Sequence, residues 1–149
     1  MLPKKGEDLV SETDKGIVYL ACPYTDPDRQ VRELRFRSAT EAAAALISQG
    51  RIVFSPITMT HPIDVVLSKE AGTLGSDFWV SFDEAFMNAC SEIVLLQIGG
   101  WRESKGIARE IDHFYRRQKP ISIMTETHIQ KPLLPMELRQ LLREVRQLV

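Results

Sequence analysis

Two carboxylates and one small-residue helix start are the parts of this 149-residue chain best suited to chemistry. Asp83 lies between Phe82 and Phe86, four residues after Trp79 and four before Met87, so at helical spacing it shares an apolar face. A carboxylate on such a face has to be paired, hydrogen-bonded or turned into a cavity, because an isolated buried charge is costly. The second feature is the run Ser104, Lys105, Gly106, Ile107, Ala108, Arg109, Glu110. Ser at a helix cap and Gly two residues later leave free backbone N–H groups and room for close approach, which is how a phosphate or other anion is held at a helix N-terminus. Glu110 follows beside the apolar Ile107 and Ile111. Each pattern also has a plain structural reading: an Asp bonded to an amide or an Arg, and a capped helix carrying a solvated Glu. Brought to one site, the two carboxylates can divide the labour, one as nucleophile and the other handling a proton or a substrate hydroxyl.

Tyr19 lies in an apolar run and Tyr24 just beyond it, after Cys22 and Pro23. A buried Tyr is ordinarily core, but its hydroxyl needs a partner and Glu110 can supply one. His61, between Thr60 and Pro62, and Trp101, after Gly99 and Gly100, are expected on loops, where such residues serve either as specificity contacts or as surface. Cys22 with His61 is formally a Cys/His nucleophile pair, although a strand-end Cys without a local signature reads as packing. Arg29, Arg32, Arg35 and Arg37 are interleaved with Glu33 and Glu41, as on a solvated face. Neither a dinucleotide-binding glycine fingerprint nor a P-loop is present, and the histidines at 61, 113 and 128 make no metal constellation.

The elements that must position these residues follow from periodicity. Residues 17–22 form a nearly continuous apolar run stopped by Pro23, as in a strand buried on both faces. Residues 28–49 have helical spacing and a glycine stop at Gly50, and residues 51–55 give a second strand; strand, helix and strand make a right-handed βαβ unit in a parallel sheet. Residues 57–75 read as turns with a short helix over 65–70. A helix from Asp77, a strand over 93–98, a helix opened by Ser104, a strand over 120–124 and an amphipathic helix over 133–149 complete the pattern. The expectation is a three-layer α/β sandwich, flavodoxin-like or Rossmann-like, with one open sheet of four or five parallel strands. Its ligands would lie beyond the carboxyl ends of the strands, where the strand order reverses. Residues 1–16 read as a mobile arm and 17–149 as one domain.

Composition sets outer limits. The chain is 44% hydrophobic and 26% charged with a net charge of −1, the profile of a soluble globular domain able to build a core without disulfides. That balance argues against a binder of nucleic acid polymers, whose affinity grows with the number of basic groups. Two distant cysteines suit a reducing compartment, and with neither a signal-peptide pattern nor a long apolar run the expected location is the cytoplasm, without membrane attachment.

Taken together, Val18 to Tyr24, the Asp83 helix and the Ser104, Gly106, Glu110 segment resemble the nucleoside 2-deoxyribosyltransferase superfamily, which includes 2′-deoxynucleoside 5′-phosphate N-hydrolases. Ala21, Cys22, Pro23, Tyr24, His61, Pro62, Gly100 and Trp101 are similar to a small bacterial and phage branch of it. The resemblance spans residues 17–124. It implies that Glu110 attacks the anomeric carbon, that Asp83 contacts the sugar and assists proton transfer to the leaving base, and that Tyr19 orients the nucleophile. Ser104 and Gly106 match a segment that holds a 5′-phosphate, while Pro23, Tyr24, His61 and Trp101 fall at the implied substrate rim. Ser91, followed by Glu92, stands where the superfamily often has a second aspartate. The implied partner is a small nucleotide or nucleoside, with no metal or other cofactor, in a homodimer or homotetramer. The implied activity is N-glycosidic cleavage or base transfer on a nucleoside 5′-monophosphate or related nucleotide; the alternative is a non-catalytic nucleotide-binding or sensing module on the same fold.

Overall fold

The computed structural model describes residues 16–70 and 74–148. The expected N-terminal arm lies outside the described residues, Gly16 excepted. In chain order the elements are β1 (Ile17–Ala21), α1 (Arg29–Ser48), β2 (Ile52–Phe54), α2 (Pro56–Glu70), α3 (Ser76–Ala89), β3 (Glu92–Leu96), a 3-10 turn (Trp101–Glu103), α4 (Lys105–Arg116), β4 (Ile121–Met124), β5 (Gln130–Pro132) and α5 (Pro135–Arg146).

One sheet runs β2-β1-β3-β4-β5. The first four strands are parallel, and β5 adds antiparallel to β4, pairing Ile123 with Lys131. This is the doubly wound α/β architecture expected, with an antiparallel edge strand in place of a fifth parallel one. A three-residue strand of Gln, Lys and Pro has no apolar alternation to announce it, and a short, polar, Pro-bearing strand is what an exposed sheet edge tolerates.

The order reverses between β1 and β3, which makes the space beyond these two strands the topological switch point. Alternation along β1 divides the core. Tyr19 and Ala21 face a layer holding Met87 of α3, Ile107, Ile111 and Phe114 of α4, and Leu141, Leu142 and Val145 of α5. Val18, Leu20 and Cys22 face Ala39, Ala42, Ala43 and Leu46 of α1 and Ile57 of α2. The small side chains of α1 allow a close approach to the sheet.

The segment 57–75 departs most from expectation. Residues 56–70 form one continuous helix rather than turns with a short terminal helix. Pro56 occupies the first helical position, where its missing N–H is no loss, and Pro62 deletes a single interior bond. The periodicity is disguised because Ile57 and His61 point inward, whereas Met59, Ile63 and Val66 are exposed.

Candidate active site

Two helices face each other across one cleft. α3 contributes Val80, Asp83, Glu84 and Met87, α4 contributes Gly106, Arg109, Glu110, Asp112, His113 and Arg116, with Arg117 just past its end, and Tyr19 of β1 lies buried behind Glu110. The cleft lies between α3 and α4 and encloses about 320 Å³, at the small end of the ~300–1,000 Å³ typical of small-molecule sites. Its polarity follows from helical spacing. Positions 106, 109, 110 and 113 share a face of α4, and 80, 83, 84 and 87 share the facing side of α3.

Glu110 is fully built into the core layer. It is 9% exposed, and its Oε2 accepts a hydrogen bond from the Tyr19 hydroxyl. Burial pushes its carboxyl up to about 8; the Tyr19 bond opposes this, the charge of Asp83 adds to it, and the positive charge of Arg109 opposes it. Tyr19 is wholly buried between Phe54 and Phe114, with ring centroids 5.9 and 5.7 Å away. Burial, followed by the charges of Glu110 and Asp83, drives its phenol well above the ordinary range, so it acts as a fixed donor.

Asp83 is half-buried, and its carboxyl is raised to about 6 by burial, against the pull of Arg109. An aromatic ladder sets its place: Phe86 stacks on Phe54 with centroids 4.2 Å apart and planes 3° from parallel, and Phe82 meets Phe86 at 5.0 Å. That ladder ties α3 to β2 and leaves Asp83, one turn earlier, on the cleft side.

Ser104 caps α4, its Oγ accepting from the Ile107 N–H at 3.2 Å. Gly106 lies within the first turn; a Cβ there would stand 3.7 Å from Ser104 Oγ and 4.0 Å from Arg109 Nη2. His113 is buried, and among the described residues its Nε2 has no hydrogen-bond partner. Burial, then Arg117, lowers its pKa and keeps the ring neutral.

The remaining candidates lie elsewhere. His61, expected on a loop, is in α2 and buried; its Nδ1 meets the Tyr24 hydroxyl at 2.5 Å, its Nε2 meets Glu33 at 3.1 Å, and its ring lies 4.6 Å from that of Phe36. Both ring nitrogens are therefore engaged, and no Cys22–His61 pair forms. The Cys22 thiol instead donates to the carbonyls of Pro23 (3.4 Å) and Arg35 (3.8 Å), and burial pushes it up to about 12. Pro23 is buried. Trp101, expected on a loop, opens the 3-10 turn, packs against the core and carries the Arg102 guanidinium 4.4 Å above its ring. Ser91 precedes β3 and Glu92 begins it, at the opposite end of the sheet, where Ser91 N–H donates to the Ile17 carbonyl and Glu92 pairs with Arg51 at 3.0 Å. Sequence reasoning passed over Arg109 and His113 as cleft residues. Their i−1 and i+3 positions relative to Glu110 were the available signal.

The fold and cleft define a doubly wound α/β protein with a carboxylate pair beside its switch point. The chain belongs to the family described as Domain of unknown function (DUF1937), whose model matches residues 16–126. No curated protein matches it. Among solved structures it is similar to a 2-deoxyribosyltransferase from the psychrotolerant bacterium Bacillus psychrosaccharolyticus, at 19% identity and a TM-score of 0.54, covering 85% of this chain and 82% of that one. That likeness concerns the fold. Among the described residues no helix is long and apolar enough to cross a membrane, and no cluster of three His, Cys, Asp or Glu is placed to hold a metal ion.

Proposed function

We propose that the protein is an N-glycosidase that cleaves, or transfers, the base of a nucleoside 5′-monophosphate or related nucleotide. The observation that carries this reading is the buried Glu110, held by the Tyr19 hydroxyl and facing the same cleft as Asp83. The likeness of the fold to a 2-deoxyribosyltransferase supports it.

In this mechanism a Glu110 oxygen attacks the anomeric carbon as the N-glycosidic bond breaks, and Asp83 gives a proton to the departing base. Water then opens the glycosyl ester and returns a proton to Asp83; a second base in place of water completes transfer. The positive charge that develops on the sugar favours the ionised form of Glu110 at the moment it is needed, although burial disfavours that form in the free protein. The Ser104 hydroxyl, whose oxygen already accepts from Ile107, keeps its own proton to donate to a phosphate oxygen above Gly106.

The test is base release across a panel of nucleotides and nucleosides. Wild type should turn over at least one nucleotide and Glu110→Ala should lose essentially all of that activity; equal turnover by both would remove Glu110 from the mechanism. The raised carboxyl of Glu110 favours one second reading, a nucleotide sensor in which a neutral Glu110 donates a hydrogen bond to its ligand. It requires calorimetric binding of a nucleotide without turnover of any. Assembly into a dimer or tetramer belongs to the first reading and is checked by sedimentation.

A further inference from the structure

We infer that Arg35 is a positioning residue: it clamps the loop after β1 to the loop after β3 and so holds the two sides of the switch point at one spacing for the ligand. The identity of that ligand rests on the function proposed above; the clamp does not.

Arg35 lies in the second turn of α1 and is half-buried. Its Nη1 donates to the carbonyls of Thr25 (3.1 Å) and Tyr24 (3.4 Å), in the loop that follows β1. Its Nη2 donates to the carbonyl of Gly99 at 3.3 Å, in the loop that follows β3 and 64 residues away in sequence. The strand order reverses between β1 and β3, so one guanidinium spans the crevice in which sheets of this kind take their ligands. A planar fork of donors reaches acceptors on both sides at once, which a single ammonium would not do.

Both anchored loops lead into the site. Tyr24 is held twice, by Arg35 at its carbonyl and by His61 at its hydroxyl. After Gly99 the chain turns through Gly100, the Trp101 N–H donates to the Ile98 carbonyl at 3.1 Å, and the Ser104 N–H donates to the Trp101 carbonyl at 3.4 Å. Ser104 then caps the helix that carries Glu110. Gly100 shows that this turn is built around the guanidinium: its φ is +91°, and a Cβ there would collide with Arg35 Nη2. Glu110 and Tyr19, by contrast, are fixed by burial and by their own hydrogen bond. Losing the clamp should therefore disturb where the ligand is received and leave the groups that act on it in place.

The experiment compares wild type with Arg35→Ala, Arg35→Lys, Gly100→Ala and the Arg35→Ala/Gly100→Ala double variant. Two readouts need no substrate. In Arg35→Ala the Trp101 and Ser104 amides should exchange hydrogen at least about tenfold faster, while those of Leu20 and Val94 in the paired strands keep their rates. Gly100→Ala should lower Tm more in wild type than in the Arg35→Ala background, because its methyl displaces the guanidinium only where there is one. The third readout is kinetic: for a nucleotide that wild type turns over, Arg35→Ala should raise KM about tenfold with kcat within about threefold, and Arg35→Lys should resemble Arg35→Ala. Unchanged exchange at residues 101 and 104, additive effects of the two substitutions, a fall in kcat at constant KM, or a Lys variant equal to wild type would each overturn the assignment. If wild type turns over no nucleotide, the proposed activity fails separately and calorimetric affinity for a nucleoside 5′-monophosphate replaces KM. Affinity weakened by Arg35→Ala upholds the positioning role, while unchanged affinity, or no binding to wild type, rejects it.

Discussion

The Tyr19 hydroxyl donates a hydrogen bond to Glu110 across 91 residues of sequence, and both side chains are buried. The bond joins the middle of a central strand to the second turn of α4. Tyr19 is paired in register with Phe54 on one side and Ile93 on the other, so the donor is held by the sheet itself. Glu110 lies between Ile107 and Phe114 along a helix whose apolar face is fully packed. A carboxyl held in this way has little freedom to reorient, which suits a group that must meet one atom of a substrate.

Tyr19→Phe isolates that bond. Phe fills the same space, so the fold should persist, while Glu110 loses a donor that favours its ionised form. We expect kcat to fall about 10–100-fold with KM changed less than threefold. Equal values for wild type and variant would show that the hydroxyl only satisfies its own burial.

The carboxyl values define a pH dependence. Asp83 is raised to about 6 and Glu110 to about 8, so between these values the two carboxyls hold one proton between them. The higher value belongs to Glu110, so the form the mechanism uses, Glu110 ionised and Asp83 protonated, is the minor arrangement of that single proton. Because both arrangements carry the same proton count, kcat/KM should be bell-shaped with limbs near these two values. In Tyr19→Phe the alkaline limb should move upward. A profile flat from pH 5 to 9 would separate these carboxyls from the rate.

Much of the fold was legible because β1, α1, α4 and α5 obey simple periods. Val18, Leu20 and Cys22 alternate with Tyr19 and Ala21, and Ile107, Ile111 and Phe114 mark one face of a helix. In α2 the period failed, because the buried position is a histidine held by Tyr24 and Glu33 while the apolar Met59, Ile63 and Val66 face outward. Asp83 and Glu110 could be singled out as carboxylates with apolar neighbours. That they share a cleft depends on the packing of Phe86 against Phe54, a contact between residues 32 positions apart that no local pattern encodes. The burial of His113 likewise arises from the approach of α3 to α4, so in sequence it looked like one of three scattered histidines.

Glu110→Gln should trade activity for stability. A carboxyl raised in the folded protein above its ordinary value of 4.5 contributes stability below that value and loses it as pH climbs through about 8. Gln stays neutral and can still accept from Tyr19. The variant should match wild type near pH 5 and exceed it by on the order of 1–3 kcal/mol at pH 9, a few degrees in Tm, with no turnover. Thermal unfolding at the two pH values checks the sign.

Cys22 should be chemically silent. With its thiol pushed up to about 12 and that of Cys90 to about 11, both by burial, almost no thiolate exists at pH 8. Iodoacetamide should leave the native protein unmodified over an hour and its activity intact, and Cys22→Ala should retain turnover within about twofold. Rapid stoichiometric alkylation with loss of activity, reproduced by Cys22→Ala, would return the thiol to the list of catalytic candidates.

Gly106→Ala separates the structural from the ligand-binding use of the α4 N-terminus. A Cβ at this position meets nothing closer than 3.7 Å, and the backbone there is not left-handed, so Ala is accommodated without strain. Alanine also favours the helix, and the variant should be as stable as wild type or more stable by up to about 1 kcal/mol. Yet the new methyl would occupy the space flanked by Ser104 Oγ and the Arg109 guanidinium, where the phosphate of a nucleotide is proposed to sit. Nucleotide affinity should fall about tenfold or more while the affinity for a nucleoside, which leaves that space empty, is preserved. Calorimetry with both ligands, alongside thermal unfolding, distinguishes this from damage to the helix: a loss of stability together with both affinities would mean that Gly106 serves the fold, whereas selective loss of the nucleotide at full stability assigns the space to the phosphate.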